Sequence, residues 1–129
     1  MFIIHKHDTG ARQPWEYMAA AAGTYKAGQA LTVTDGKAAP ITAALKTTPP
    51  YICMADVTVA DGQVLPVIRT TDKAIYATEL SAEAAAAKVG TKLEVSAGGL
   101  QVDATATGTF EVTDIEGTAA GSAVYGRFI

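Results

Sequence analysis

The chain has few of the residues that most often carry chemistry. Among its 129 residues there are one cysteine, one tryptophan and two histidines. A single cysteine excludes an internal disulfide. Cys53 lies in the apolar run YICMADV with no histidine near it in the sequence. We therefore expect a small buried hydrophobic side chain there and no reactive thiol.

Two further absences limit the partners of the protein. No apolar run approaches the roughly eighteen residues of a membrane span, and the first residues, MFIIHKHDTG, contain no apolar region of the length that a signal peptide needs. The 10 basic and 13 acidic residues are interspersed and give a net charge of −3, whereas a nucleic-acid backbone requires a basic stripe. We expect neither a membrane nor a nucleic acid as partner.

The chain also lacks the parts of a catalytic or metal site. His5 and His7 would lie on one side of an extended segment, next to Asp8, but a zinc site needs more ligands and no second cluster supplies them. Residues 24–129 contain no histidine, so a Ser-His-Asp or Cys-His site would have to take one from the N-terminal segment. The carboxylates are scattered, mostly in turns. We expect no enzymatic activity, no cofactor and no metal.

The chain is rich in β-branched residues and alanine. It has 17 Thr, 10 Val and 8 Ile against 6 Leu, a composition that favours strands. Its 26 Ala bury little area, so the hydrophobic fraction of 49% overstates the core. The length suits a single domain.

Turn residues divide the chain into short segments with strand character. Asp35-Gly36 between alternating runs predicts a hairpin. Pro66 predicts an edge strand or a bulge, since proline cannot donate to a ladder. The predicted strands lie near 30–34, 37–43, 51–57, 63–69, 74–80, 91–96, 100–105, 109–116 and 122–128.

One segment, SAEAAAAKVG, has helix character. Ser81 can cap its first turn, four alanines have the best helix propensity, and Gly90 can end it. We therefore predict a mainly β domain over 24–129 with one short α-helix at about 81–89. The expected architecture is a small compact β-barrel or β-sandwich, preceded by an N-terminal arm over 1–23.

Four short stretches repeat a glycine, two further residues and then a branched apolar residue. They are GQALTV at 28–33, GQVLPV at 62–67, GTKLEV at 90–95 and GSAVYG at 121–126. A phosphate-binding loop needs such glycines at the start of a helix, but each of these precedes a predicted strand. We interpret them as turns that need positive φ, with Leu-x-Val of the first three facing the core.

Residues 1–23 differ from the rest of the chain. They show no clear period and hold the only tryptophan and both histidines. We predict an arm outside the main sheet, with one helical turn at 17–22. Two alternatives stay open for its aromatic residues, which either attach the arm to its own domain or anchor it to another chain. The predicted partner-binding residues are Phe2, Ile3, Ile4, Trp15 and Tyr17.

Two stretches, TYKAGQALTVTDGKAAPITAA and PYICMADVTVADGQVLPVIR, resemble the small head decoration proteins of lambda-type tailed phages and their prophage relatives. The resemblance covers roughly residues 24–78. Its pattern is an entry glycine, a strand and a DGK-like turn, followed by Ala-Asp-Val and Gly-x-x-Leu-x-Val. The final GTAAGSAVYGRF is similar to the closing strand of phage capsid accessory proteins.

The resemblance implies a structural virion protein made in the bacterial cytoplasm and located on the capsid exterior. Such proteins assemble as trimers on the expanded head, bind the major capsid protein and cement neighbouring capsomers. In that family a flexible N-terminal arm contacts the capsid, and residues 1–23 would take that role. The alternative is a non-enzymatic adhesive or carbohydrate-binding β-module, against which the aromatic content of 7% counts.

Overall fold

The protein is all-β in the part of the chain that the structure describes, residues 1–8 and 12–129 of a computed structural model. The mainly β class is therefore confirmed. No helix in these residues is long and apolar enough to cross a membrane. The strands are β1 (Ile3–His7), β2 (Glu16–Ala19), β3 (Gly23–Tyr25), β4 (Ala30–Thr34), β5 (Lys37–Pro40), β6 (Tyr51–Cys53), β7 (Val57–Val59), β8 (Val64–Arg69), β9 (Ala74–Glu79), β10 (Lys92–Leu93), β11 (Phe110–Ile115) and β12 (Ala123–Phe128).

The strands form two five-stranded antiparallel sheets and one short pair. Sheet A has the order β1-β9-β12-β11-β10, sheet B has the order β2-β8-β6-β4-β5, and β3 pairs with β7. The predicted hairpin joins β4 to β5. Its turn residues Asp35 and Gly36 have φ of 52° and 74°, and positive φ at both central residues is what a two-residue type I′ hairpin turn requires.

Sheet B is the middle layer of the molecule. Neighbouring residues along its strands face opposite ways. Ile52 and Ile68 enter a core shared with Tyr76 of sheet A, whereas Cys53 and Val67 enter a second core on the side of β3 and β7. Both faces of sheet B are therefore covered over much of its area, which explains the continuous apolar runs in its central strands.

Neither sheet closes into a barrel across the described residues, so of the two predicted architectures, barrel and sandwich, the barrel is wrong. The edges of sheet A are β1 and β10, and those of sheet B are β2 and β5. The two edges of sheet B approach each other at an isolated bridge between Ala20 and Ala38. A closed barrel needs a continuous hydrogen-bonded ladder between its first and last strands, and one isolated bridge does not supply it. Each of the two cores therefore lies between packed sheets and not inside a barrel.

The predicted helix at 81–89 is wrong, because these residues form bends and turns. Ala84 N–H donates to Thr118 O and Gly90 N–H donates to Val112 O, both at 2.8 Å. Between them, Ala87 N–H bonds Ala84 O, only three residues back, at 2.9 Å. So short an alanine-rich segment is a marginal helix by itself, and the hydrogen bonds that hold it to other parts of the fold decide its conformation.

The N-terminal segment belongs to the sheets, so the prediction of a separate arm is wrong. β1 pairs with β9, and the predicted helical turn is instead β2, which pairs with β8. Phe2 is 3% exposed, and its ring lies 5.9 Å from that of Phe110 and 5.5 Å from that of Phe128. Edge strands have one neighbour each and only partly covered faces, which leaves them without a clear hydrophobic period.

The four repeated glycines occupy one recurring turn, and their predicted positive φ is confirmed. Gly28, Gly62, Gly90 and Gly121 have φ between 81° and 93°. In each turn the residue after the glycine donates its N–H to the carbonyl two residues before the glycine, at 3.0 to 3.1 Å. In the first three turns the side-chain oxygen of the residue after the glycine also accepts a hydrogen bond from the backbone N–H of the residue two places before the glycine.

The N–H of each of these glycines is already bonded inside the protein. Each donates to a carbonyl distant in sequence, at 2.8 or 2.9 Å, the acceptors being those of Cys53, Ala20, Val112 and Leu80 in chain order. A phosphate-binding loop keeps such donors free for its ligand. The repeated turns therefore join strands and leave no glycine donor for an anion.

Three details of the predicted strands differ in the structure. Val33 is 41% exposed although Leu31 is buried, because the pairing of β4 with β6 ends at Leu31. Pro66 lies in an interior strand, but the pairing of β8 with β6 ends at Val67, so the missing N–H falls beyond the ladder. The predicted strand at 100–105 is reduced to isolated bridges at Val102.

Replacing Gly28 by alanine is expected to cost more stability than replacing Gly62. The two have nearly the same φ, 81° and 84°, so placing an alanine in this left-handed conformation should lower the free energy of unfolding by about 1 kcal/mol at either position. A Cβ at Gly62 meets nothing within 4 Å, whereas a Cβ at Gly28 would lie 2.6 Å from Met1 Cβ and 3.2 Å from Phe2 N. Chemical denaturation should show a further loss of about 1 to 2 kcal/mol for Gly28→Ala. Equal losses for the two variants would contradict this packing of the N-terminus.

Candidate binding face at the edge of sheet B

Sheet B has an uncovered apolar face at its β2 edge. Residues directly opposite in antiparallel strands share a face, and Tyr17 lies opposite Pro66 while Ala19 lies opposite Val64. Ile68 enters the core between the sheets from this same face. Tyr17 is 70% exposed and Val64 is 59% exposed, so sheet A does not cover this end. The aromatic face, as we name it, comprises Trp15, Tyr17, Val64 and Pro66.

Trp15 extends the aromatic face into a groove between the two sheets. Trp15 is 55% exposed and lines the floor of a 350 Å³ groove together with Ile4, Met54 and Ile68. Ile4 belongs to β1 of sheet A and Ile68 to β8 of sheet B, so the core between the sheets reaches the surface here. An exposed indole offers a large contact area with few rotatable bonds. We name this feature the Trp15 groove.

The five residues predicted to bind a partner separate into two groups. Ile3, Ile4, Trp15 and Tyr17 lie at this end of the molecule, and Ile3 and Ile4 line a second apolar groove of 320 Å³. The two grooves share Ile4 and two other lining residues, Met54 and Ile68. Phe2 is buried in the core, although it also lines this second groove. Its ring therefore attaches the segment to its own domain, and its role as a partner contact stays a prediction.

Basic side chains form the walls of the Trp15 groove. Lys6 and Arg12 line it, both exposed, together with His5 and His7. No carboxylate is among its described lining residues. A locally cationic groove therefore occurs in a chain whose net charge is −3.

The two acids that are nearest in sequence to the groove are paired with other arginines. Asp8 lies 2.8 Å from Arg127, and Glu16 lies 2.9 Å from Arg69. The hydrogen bond from the Arg127 guanidinium lowers the pKa of Asp8 from its ordinary value. Asp8 and Glu16 each form an ion pair with an arginine other than Arg12. Within the described ranges neither Lys6 nor Arg12 has a carboxylate within 4.0 Å.

The histidines of β1 do not form a metal site with their neighbours. Within residues 1–8 and 12–129, no three His, Cys, Asp or Glu side chains are grouped closely enough to hold a metal ion. The His5 ring instead lies 4.8 Å from that of Tyr125, whose hydroxyl donates to Glu116 at 3.1 Å. This contact fixes the exposed side of β1 on sheet A.

Cys53 is buried, as predicted, and its surroundings suppress its reactivity. The side chain is 0% exposed and Sγ donates to Ala55 O at 3.2 Å. Burial raises the pKa of the Cys53 thiol, and the thiolate is the reactive form.

We expect Cys53 to react with a thiol reagent such as DTNB only after unfolding. At mildly alkaline pH the native protein should release colour on the timescale of its unfolding, while the denatured protein should react at once. The measurement is absorbance against time with and without guanidinium. Rapid stoichiometric labelling of the native protein would show that the thiol is accessible.

Comparisons with known proteins do not identify a relative of this chain. No family model matches it, and no curated protein matches it.

Four apolar members of this site, Met54, Val64, Pro66 and Ile68, are absent from the sequence-based prediction, and so are the basic Lys6 and Arg12. Strand alternation places Val64, Pro66 and Ile68 on one face, but it does not show which strand covers that face. Pro66 carried the one usable signal, since a proline inside a strand marks a place where a neighbour is missing. The register of β8 against β2 is a property of the tertiary structure.

Proposed function

We propose that this protein is a structural virion protein that decorates a tailed-phage head. It binds the major capsid protein on the outer surface of the expanded capsid and cements neighbouring capsomers. The resemblance of residues 24–78 and of the final strand supports this proposal.

The aromatic face is the observation that carries the proposal. Contiguous exposed apolar side chains on a small domain mark an interaction site, and Trp and Tyr are the residues that most often dominate binding energy. Trp15 and Tyr17 are 55% and 70% exposed. Tyr17 lies in β2, which pairs with β8, and Trp15 immediately precedes this strand. The paired strand holds Tyr17 in place before binding, which lowers the entropic cost of docking.

Self-association is proposed to occur through faces and loops and to give a trimer. Pairing with an edge strand of another copy is disfavoured at three of the four edges of sheets A and B. β1 is irregular between Ile4 and Lys6, β5 carries Lys37 and ends at Pro40, and β10 has only two residues. Charges, proline, bulges and short strands all protect edges from pairing. Several weak copies acting together raise the affinity for a repetitive surface.

Co-sedimentation with expanded capsids of the source phage tests the proposal. We expect saturable binding to expanded heads, with little binding to unexpanded ones. Mass measurement of the complex gives the number of copies bound for each three-fold position. If the intact protein stays in the supernatant at all ratios, the decoration function is wrong.

A carbohydrate-binding module is the second candidate, because exposed Trp15 and Tyr17 also suit sugar rings. Aromatic side chains stack on the apolar faces of sugars in much the same way as they anchor proteins. The basic walls of the Trp15 groove would favour acidic glycans. A glycan array with purified protein distinguishes the candidates, since specific hits together with no capsid binding would favour the module.

A further inference from the structure

We infer that the Trp15 groove binds an extended acidic segment of its protein partner. An apolar side chain of that segment would rest against Trp15, Met54 and Ile68, and carboxylates on either side of it would lie beside Lys6 and Arg12. This inference builds on the proposed function by naming the chemistry of the capsid segment that is recognised.

Charge complementarity selects the acidic occupant. Lys6 and Arg12 are exposed, line the groove and have no carboxylate within 4.0 Å in the described ranges. Asp8 and Glu16, which flank the groove in sequence, are held by Arg127 and by Arg69. The groove therefore presents two cations that form no ion pair among the described residues, and no carboxylate is among its described lining residues. A carboxylate-bearing partner is attracted to it over other partners.

A neighbouring groove provides an internal contrast. Lys6 also borders a 360 Å³ groove on the other side of β1, where Asp114 and Glu116 are lining residues. An acidic segment would meet like charge there. The two grooves beside β1 thus differ in the charge of their lining residues, and the Trp15 groove is the one that favours an acidic chain.

The floor of the groove selects a peptide over a nucleic acid. Ile4, Met54 and Ile68 are apolar lining residues of the same groove, which suits an aliphatic side chain. A nucleic-acid strand needs a basic stripe that follows its backbone, whereas here the cations are confined to one groove of 350 Å³. We therefore expect peptide binding, and test nucleic acid as a competitor.

The experiment uses the fluorescence of the chain's single tryptophan as a reporter located in the groove. The probe is a short soluble peptide of Glu, Asp, Ser and Leu, and its control is the isosteric peptide with Gln and Asn. We expect the acidic peptide to shift Trp15 emission with saturation below about millimolar concentration, and the isostere to bind several-fold more weakly.

Paired variants test the role of charge. Lys6→Ala with Arg12→Ala should weaken acidic-peptide binding about tenfold at low salt, since each exposed charge contributes modestly and salt screens it. The matched control, Lys46→Ala with Lys88→Ala, removes two exposed lysines outside the groove and should change binding less than about twofold.

The inference is overturned by any of four results. These are equal binding of the isostere, equal weakening by the control pair, tighter binding of oligothymidylate than of the acidic peptide, or no change in Trp15 emission. Capsid co-sedimentation distinguishes a failure of the groove inference from a failure of the proposed function. Undiminished capsid binding by the Lys6→Ala, Arg12→Ala protein contradicts the groove alone, and peptide binding without capsid binding contradicts the decoration function alone.

Discussion

Replacing Phe2 by alanine is expected to destabilise the protein by about 3 to 5 kcal/mol, the usual range for a buried phenylalanine. The ring is 3% exposed and packs against Phe110 and Phe128. Its backbone N–H also donates to Gly28 O at 2.7 Å, so the cavity cannot readily collapse by moving the chain. Guanidinium denaturation followed by circular dichroism measures the loss, and the melting temperature should fall by about 10 °C or more.

Ile3 is the matched control for Phe2. It is the next residue in the chain and is 55% exposed, so Ile3→Ala should cost less than about 0.5 kcal/mol. Deleting residues 1–18 should unfold the domain, because the deletion removes Phe2 together with β1 and most of β2. A stable, folded deletion variant, or equal costs at Phe2 and Ile3, would show that the N-terminal segment is not part of the core.

Replacing Trp15 by alanine is expected to weaken binding to expanded capsids by about 100-fold while leaving the fold intact. Truncating a tryptophan anchor at the centre of an interface typically costs 2 kcal/mol or more, and about 1.4 kcal/mol corresponds to a tenfold change. Trp15 is 55% exposed, so its removal takes little from the folded state. Quantitative co-sedimentation gives the affinity, and chemical denaturation should show a stability change below about 1 kcal/mol.

Val89 is a suitable control for Trp15. It is 64% exposed and lies in the turn segment after β9, outside both apolar grooves. Val89→Ala should bind capsids like the unmodified protein, whereas Tyr17→Ala should show an intermediate loss. If Trp15→Ala retains full capsid affinity while another exposed residue is essential, the partner is bound elsewhere on the surface.

The two sets of variants address different parts of the N-terminal segment. Phe2 belongs to the core and Trp15 to the surface, although both occur within the first 15 residues of the chain. A single truncation removes both and cannot separate stability from binding. Point substitutions at Phe2 and Trp15 separate them, since the first should reduce stability and the second should reduce affinity.

Local features of the fold were predictable where backbone conformation depends on one or two residues. Asp35-Gly36 requires positive φ in a tight hairpin, and the repeated glycines mark turns for the same reason. Strands such as β8 and β11 lie within their predicted bounds because alternation and β-branched residues act over neighbouring positions. The burial of Cys53 followed from its apolar neighbours.

Features that depend on distant partners were not predictable. The segment at 81–89 has helix propensity, but hydrogen bonds from Ala84 to Thr118 and from Gly90 to Val112 hold it in turns. The N-terminal segment has no period, yet β1 pairs with β9, and β2 pairs with β8. Propensity contributes a few tenths of a kcal/mol for each residue, and a network of long-range hydrogen bonds and packing exceeds it.

By itself the sequence determined the β class, the positions of most turns and the shortage of catalytic and metal-binding residues. These depend on composition and on local backbone sterics, which are properties of neighbouring residues. The tertiary structure alone decided that Phe2 is buried while Trp15 and Tyr17 stay exposed, and that Lys6 and Arg12 line the same groove as Trp15. Which face an edge strand buries is decided by the strand that pairs with it and by the sheet packed above it, and both are distant in sequence.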